Sequence, residues 1–240
     1  MQFEFQPIGI IHSCFKEKFG IPRQSRLITE AEARLEILPP YNRAEAFREL
    51  ADYSHLWIIF VFHASASGDW KPTVRPPRLG GNQRVGVFAS RSPVRPNPIG
   101  LSVVDLLKLD LSYNSVNLHL GGIDLLDGTP VLDIKPYLPY VDAIPDAKSG
   151  YATEAPGEAI ELSYSDVAEN VLNQLPAEKA RQLRRLILRI LQNDPRPAYL
   201  DETKRSRFGM RLYDFNIRWE IKGGAFHIIE VQPITDPSTD

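Results

Sequence analysis

The stretch RSPVRPNPIG, residues 91–100, sets the tightest limit on how this chain folds. Proline fixes φ and removes a backbone donor, and the residue before it is pushed out of the α region. Pro93, Pro96 and Pro98 therefore forbid a helix and oppose a central strand. What remains is a stiff loop carrying Arg91 and Arg95 and no acid.

The surrounding sequence has the same character. Short runs with strand character alternate with proline- and glycine-rich turns: Phe3–His12, Arg34–Leu38, His55–His63, Arg84–Ala89, Ile99–Lys108, Ser115–Leu120 and Val131–Lys135. Many strands without regular intervening helices predict a closed or nearly closed β-barrel. One helix is expected among them, with Asn42 as its cap, Glu45 three residues on, and Phe47 and Leu50 on one face. After Val141 the chain becomes small and polar, as a linker does, up to Ala159. Beyond it Ser165 caps a helix that Pro176 ends or kinks. The next helix places Ala180, Leu183, Ile187 and Leu191 on one face and Arg181, Arg184, Arg185 and Arg189 on the other. YDFNIRWEI alternates as a half-buried strand, and Lys222-Gly223-Gly224 turns into a second strand, Ala225–Val231. The expected architecture is mainly β: an N-terminal barrel domain over 1–145, a smaller α+β domain over 160–233, and a disordered tail over 234–240.

Several functions are excluded. The single cysteine, Cys14, rules out an internal disulfide and fits a reducing, cytoplasmic setting. The N-terminus lacks a signal-peptide pattern, and the longest apolar run, Leu56–Phe62, is too short to span a bilayer. His55 and His63 bracket one strand and lie roughly 26 Å apart, so they cannot share a metal. His12, His119 and His227 show no ligand spacing either, and no metal is expected. His63, at a strand end, is either an ordinary partly exposed side chain or part of a pocket wall. There is no P-loop, no GxGxxG and no GxSxG elbow. Leu79-Gly80-Gly81-Asn82 and Leu120-Gly121-Gly122-Ile123-Asp124 are glycine turns, and either lets a ligand approach the backbone.

Charge placement is more informative. The whole chain carries a net charge of −2, yet no acid lies between Asp69 and Asp105. That span holds Lys71, Arg75, Arg78, Arg84, Arg91 and Arg95. A local patch of this kind suits phosphate oxygens, and a solvated surface whose arginines pair with distant acids is the alternative. DPRPAY, residues 194–199, again mounts an arginine between prolines, beside an acid and a phenol, where a simple helix stop needs only Asp194 and Pro195.

RPPRLGGN (75–82), RSPVRPNPIG (91–100), DLLDGTPVLDIKPY (124–137) and DPRPAY (194–199) together resemble the TsaA-like (TrmO, formerly YaeB) tRNA methyltransferases, from the first strand to about Pro233. The resemblance implies a β-barrel methyltransferase that uses S-adenosylmethionine without a Rossmann domain. It implies methylation of N6 of threonylcarbamoyladenosine next to the anticodon in tRNA, by a homodimer with the cofactor near the subunit interface. Cofactor contacts would fall on Gln24, Ser25, Arg26, His63, Arg91, Leu101 (through its backbone), Gly121, Gly122, Ile123 and Asp124. Asp194, Arg196 and Tyr199 would form the catalytic string that engages the RNA. Arg95 would be free for tRNA phosphate. Asp124, His63, Asp194, Tyr199 and solvent are all open as acceptors of the N6 proton. The alternatives are a non-catalytic RNA-binding module, which would not bind S-adenosylmethionine, and a methyltransferase acting on a small molecule or protein.

Overall fold

In a computed structural model, six antiparallel strands close into a barrel. The structure describes residues 3–65, 69–153, 160–196 and 206–234. In chain order the strands of the N-terminal part are β1 (Gly9–Ser13), β2 (Glu32–Ile37), β3 (His55–Val61), β4 (Thr73–Val74), β5 (Val85–Gly86), β6 (Ile99–Ser112), β7 (Ser115–Gly121) and β8 (Pro130–Pro136). The barrel runs β1-β2-β7-β6-β3-β8, while β4 and β5 form a separate two-stranded ribbon.

Alternation is what closes the barrel. In β3, Leu56, Ile58 and Phe60 point inward and are buried, while the residues between them are only half-buried. Leu35 and Ile37 of β2, Val104 of β6 and Leu118 and Leu120 of β7 fill the same interior. Each buried Leu, Ile or Val contributes ~1.5–3 kcal/mol relative to exposure. Gly100 is required at its place in β6: a Cβ there would lie 2.2–2.7 Å from the ring of Phe60. The β3/β6 pairing runs unbroken from His55↔Asp105 to Val61↔Ile99. The β1/β8 seam is much shorter, with Gly9↔Val131 and Ile10↔Pro130 in register.

The C-terminal part contains β9 (Leu162–Tyr164), β10 (Arg207–Leu212), β11 (Phe215–Lys222) and β12 (Ala225–Pro233) in the order β10-β11-β12-β9. After a single-turn helix α1 (Pro139–Asp142) come α2 (Asp166–Gln174) and α3 (Ala177–Gln192). Ser165 caps α2 as expected, its hydroxyl accepting from the Ala168 N–H at 3.1 Å. Leu183, Leu186, Ile187, Ile190 and Leu191 form the buried face of α3. The core runs on from the barrel into this part. Phe15, just after β1, bridges Leu212, and the Tyr213 N–H donates to the Cys14 carbonyl at 2.8 Å.

Several expectations need correction. The helix expected from Asn42 is two short 3-10 turns, Ala44–Phe47 and Leu50–Asp52. Arg48 is extended and Glu49 is left-handed (φ 65°), which breaks the helix between Phe47 and Leu50. The Asn42 side chain donates instead to the Asn114 carbonyl at 2.6 Å. The first strand starts at Gly9, leaving Phe3 and Phe5 exposed. Arg84–Ala89 supplies only two ladder residues before a 3-10 turn, Val87–Ala89. The arginine face of α3 is largely neutralised: Arg184 grips Glu169 (2.5 Å), Arg189 meets Glu30 (3.0 Å) and Arg181 meets Glu178 (3.0 Å).

Candidate active site

A cleft of about 880 Å³ opens beside β3 and β6, walled by the proline loop and by the segment after β1. Gln24, Ser25, His63, Arg91, Leu101 and Asp124 all line it. Six of the ten expected cofactor contacts, scattered over a hundred residues of sequence, thus face one space.

Its floor is organised around Asp124. Ser102, buried on the inward face of β6, donates its hydroxyl to Asp124 Oδ1 at 2.7 Å. Burial pushes the Asp124 carboxyl up to about 6, against the opposing pull of the Ser102 hydroxyl, backbone N–H groups and the nearby Arg91 charge. Among the described residues Asp124 is the only carboxylate on the lining, whereas Lys18, Arg23, Arg91 and Arg95 are all there. Arg91 donates to the Gln24 side-chain oxygen, a neutral partner. The proline loop is therefore a stiff mount that holds two guanidiniums against the cleft with little ordering cost on binding.

Arg26, Gly121, Gly122 and Ile123 stand behind the lining. Arg26 is left-handed (φ 64°) and its N–H donates to the Gly122 carbonyl at 2.7 Å. Its guanidinium is ion-paired to Asp105, which also meets His55 Nε2 at 2.9 Å. Gly122 is itself left-handed (φ 66°), and a Cβ there would meet Arg26 Cγ at 3.3 Å. This layer fixes the loop that presents Gln24 and Ser25. Sequence reasoning missed Ser102, Asp105 and His55 as parts of the site. The available signal was a lone serine on the buried side of the apolar strand IGLSVVDLL.

Asp194 and Arg196 lie apart from the floor. Arg196 and Arg23 line a second hollow of about 240 Å³, which shares Lys18, Ile21, Pro22 and Arg23 with the cleft. Asp194 binds the Arg196 guanidinium at two points, 2.7 and 2.9 Å, and Arg23 donates to the Arg196 carbonyl at 3.3 Å. Tyr199 lies outside the described residues, as do 154–159 of the linker and 235–240 of the tail. Among the described residues no group of three His, Cys, Asp or Glu is placed to hold a metal, and no helix is long and apolar enough to cross a membrane.

The cleft suits a nucleoside bearing an amino-acid tail. Its size lies in the range of small-ligand sites, Phe60, Phe62 and Leu101 supply apolar surface, and Gln24, Ser25, Arg91 and Asp124 supply convergent polar groups.

Comparison with known proteins agrees over the whole molecule. Residues 10–143 match the tRNA-methyltransferase O N-terminal domain, and residues 157–234 match the TrmO C-terminal domain. A tRNA (adenine(37)-N6)-methyltransferase of Escherichia coli K12 is 48% identical over 233 residues, 96% of this chain and 98% of the relative. A putative S-adenosylmethionine-dependent methyltransferase, RcsF, of Pseudomonas aeruginosa PAO1 is 46% identical over 91% of this chain and 93% of its own length. The crystal structure of TrmO from P. aeruginosa superposes with a TM-score of 0.75 at 39% identity, covering 97% of this chain and 98% of that one. With both halves matched and the fold shared from end to end, the chain belongs to the tRNA-methyltransferase O family.

Proposed function

We propose that this protein methylates N6 of threonylcarbamoyladenosine beside the anticodon of tRNA. At the coarser level it is a tRNA (adenine-N6)-methyltransferase, and its cofactor is S-adenosylmethionine. The observation that carries the reading is the convergence of Gln24, Ser25, His63, Arg91 and Asp124 on one cleft beneath a cationic rim.

When bound, S-adenosylmethionine supplies an electrophilic methyl group on a positively charged sulfur. The chain's task is alignment, and positioning of this kind is worth about 7–11 kcal/mol. Arg91, steadied by Gln24, offers a charge for a carboxylate or an adenosine edge. The acylated N6 nitrogen is a poor nucleophile and must lose its proton, so a base adds about 10²–10⁴-fold. Asp124 fits that role: it faces the cleft, is held by Ser102, and its raised proton affinity lies nearer neutrality than an ordinary carboxylate's. His63 also lines the cleft, and its imidazole is a second candidate proton acceptor there. Asp194 is committed to Arg196.

Dimerisation belongs to the same reading. Ile99 and Leu101 line the cleft and are 41% and 55% exposed on β6, an apolar strip that a second copy would cover beside the cofactor. Sedimentation at twice 27.1 kDa is the expected result. The activity is tested by incubating the protein and S-adenosylmethionine with tRNA that carries or lacks the threonylcarbamoyl group, then analysing nucleosides by mass spectrometry. N6-methylated threonylcarbamoyladenosine is expected, with the unmodified transcript a poor acceptor. Equal methylation of both would reduce the substrate to adenosine alone, and absence of S-adenosylmethionine binding would favour an RNA-binding module.

A further inference from the structure

Threonylcarbamoyladenosine differs from adenosine by more than bulk: its amino-acid tail ends in a carboxylate. Together with the cofactor's own carboxylate, two anionic groups must enter the cleft. Resting on the function proposed above, we infer that Arg95 receives the substrate's carboxylate and so selects the modified base over plain adenosine.

Charge placement carries the argument. Several arginines away from the cleft find carboxylates: Arg34 meets Glu36, Arg184 meets Glu169, Arg189 meets Glu30 and Arg218 meets Glu230. Arg95 instead donates one Nη to the Ser90 carbonyl at 3.3 Å and, among the described residues, has no carboxylate partner. Asp124, the one acid on the lining among the described residues, is engaged by Ser102 and feels the charge of Arg91. Arg91 and Arg95 thus divide the cleft, with Arg91 beside the floor and Arg95 left for a second anion.

Burial separates this role from phosphate binding. Arg95 is half-buried in the cleft wall between Pro93 and Pro96, whereas Arg91, Arg23 and Lys18 are exposed. A tRNA backbone runs over a surface; a group carried on the base enters a cleft. A guanidinium is also the planar, two-pronged donor that a carboxylate accepts best, and the Ser90 bond leaves the other nitrogens available.

The test uses full-length protein and two tRNAs: one bearing threonylcarbamoyladenosine, and the same tRNA with that carboxylate converted to its neutral methylamide. Single-turnover methylation is measured for wild type, Arg95→Gln and Arg95→Lys. Loss of a charge-assisted bond predicts that wild type prefers the acid by about 10–100-fold. In Arg95→Gln this preference should collapse to within about threefold of unity, and Arg95→Lys should retain part of it, with S-adenosylmethionine affinity unchanged by calorimetry in both. A wild type that treats acid and amide alike overturns the inference. So does an Arg95→Gln enzyme that slows on both tRNAs with its preference intact, which is the signature of a phosphate contact. A fall in cofactor affinity would place Arg95 in the cofactor site instead. If wild type methylates neither tRNA while still binding S-adenosylmethionine, the substrate reading itself fails and the inference falls with it.

Discussion

Ser102 holds the carboxylate of Asp124 at 2.7 Å, a buried strand hydroxyl fixing an acid on the cleft lining. A hydrogen bond to the charged form favours ionisation, and burial opposes it; here burial wins, leaving the carboxyl at about 6. Methyl transfer should therefore rise with pH through about 6 as the acceptor carboxylate forms. Ser102→Ala removes the opposing bond and should move that midpoint upward. Asp124→Asn should lower turnover by about 10²–10⁴-fold. A profile flat from pH 5 to 8 in wild type would exclude Asp124 as the base.

The same group bears on stability. Between about pH 4 and 6 the folded protein binds a proton that the unfolded chain releases, so Asp124's contribution to stability falls as pH rises through that window. At pH 7 the buried charge costs up to about 3 kcal/mol. Asp124→Asn, which still accepts from Ser102, should melt above wild type at pH 7 while being far less active. Heating curves at pH 4 and 7 check this, with the gap closing at the lower pH.

Gly100→Ala tests the join between barrel and cleft. The new methyl would overlap the Phe60 ring, which itself lines the cleft. Overpacking of this kind costs about 1–3 kcal/mol, and a chain this long loses about 2–4 °C in Tm per kcal/mol. Thermal melts and cofactor titrations should both worsen. An unchanged Tm would mean that Phe60 yields freely.

Arg196→Ala should leave S-adenosylmethionine affinity nearly unchanged and sharply reduce methylation of tRNA, because Arg196 stands in the neighbouring hollow and not on the cleft lining. Arg196→Lys should rescue little, since the two-point grip of Asp194 needs a planar fork. Wild-type turnover in Arg196→Ala would reduce this string to a helix stop.

The barrel was legible because strand-like runs such as HLWIIFV and SVNLHLG follow one another between proline- and glycine-rich turns without regular helices between them. The expected helix at Asn42 failed because a capping pattern carries no information about Glu49's left-handed backbone. β10 was missed: RFGMRL alternates, but a glycine among short runs weakens the signal. In the site, the cleft-lining residues came through a motif resemblance; composition alone located only the cationic stretch. Ser102, His55 and Asp105 were invisible because their roles depend on register between strands: Asp105 stands opposite both His55 and Gly121. The neutralised arginine face of α3 was equally hidden, since Glu30 lies in a different part of the chain.

The short β1/β8 seam makes the barrel a ring with one weak clasp. Pro130 has no N–H to give, so the joint is held by a few bonds such as Ile8 N–H to the Val131 carbonyl and Ile11 N–H to the Thr129 carbonyl. Amide hydrogens there should exchange with solvent well before that of Ile58, which sits in the uninterrupted β3/β6 ladder. The clasp lies at the root of the segment that carries Lys18, Gln24 and Ser25 to the cleft. Opening of the clasp would therefore move one jaw of the cleft relative to Ser102, which sits in the continuous β3/β6 ladder on the other side.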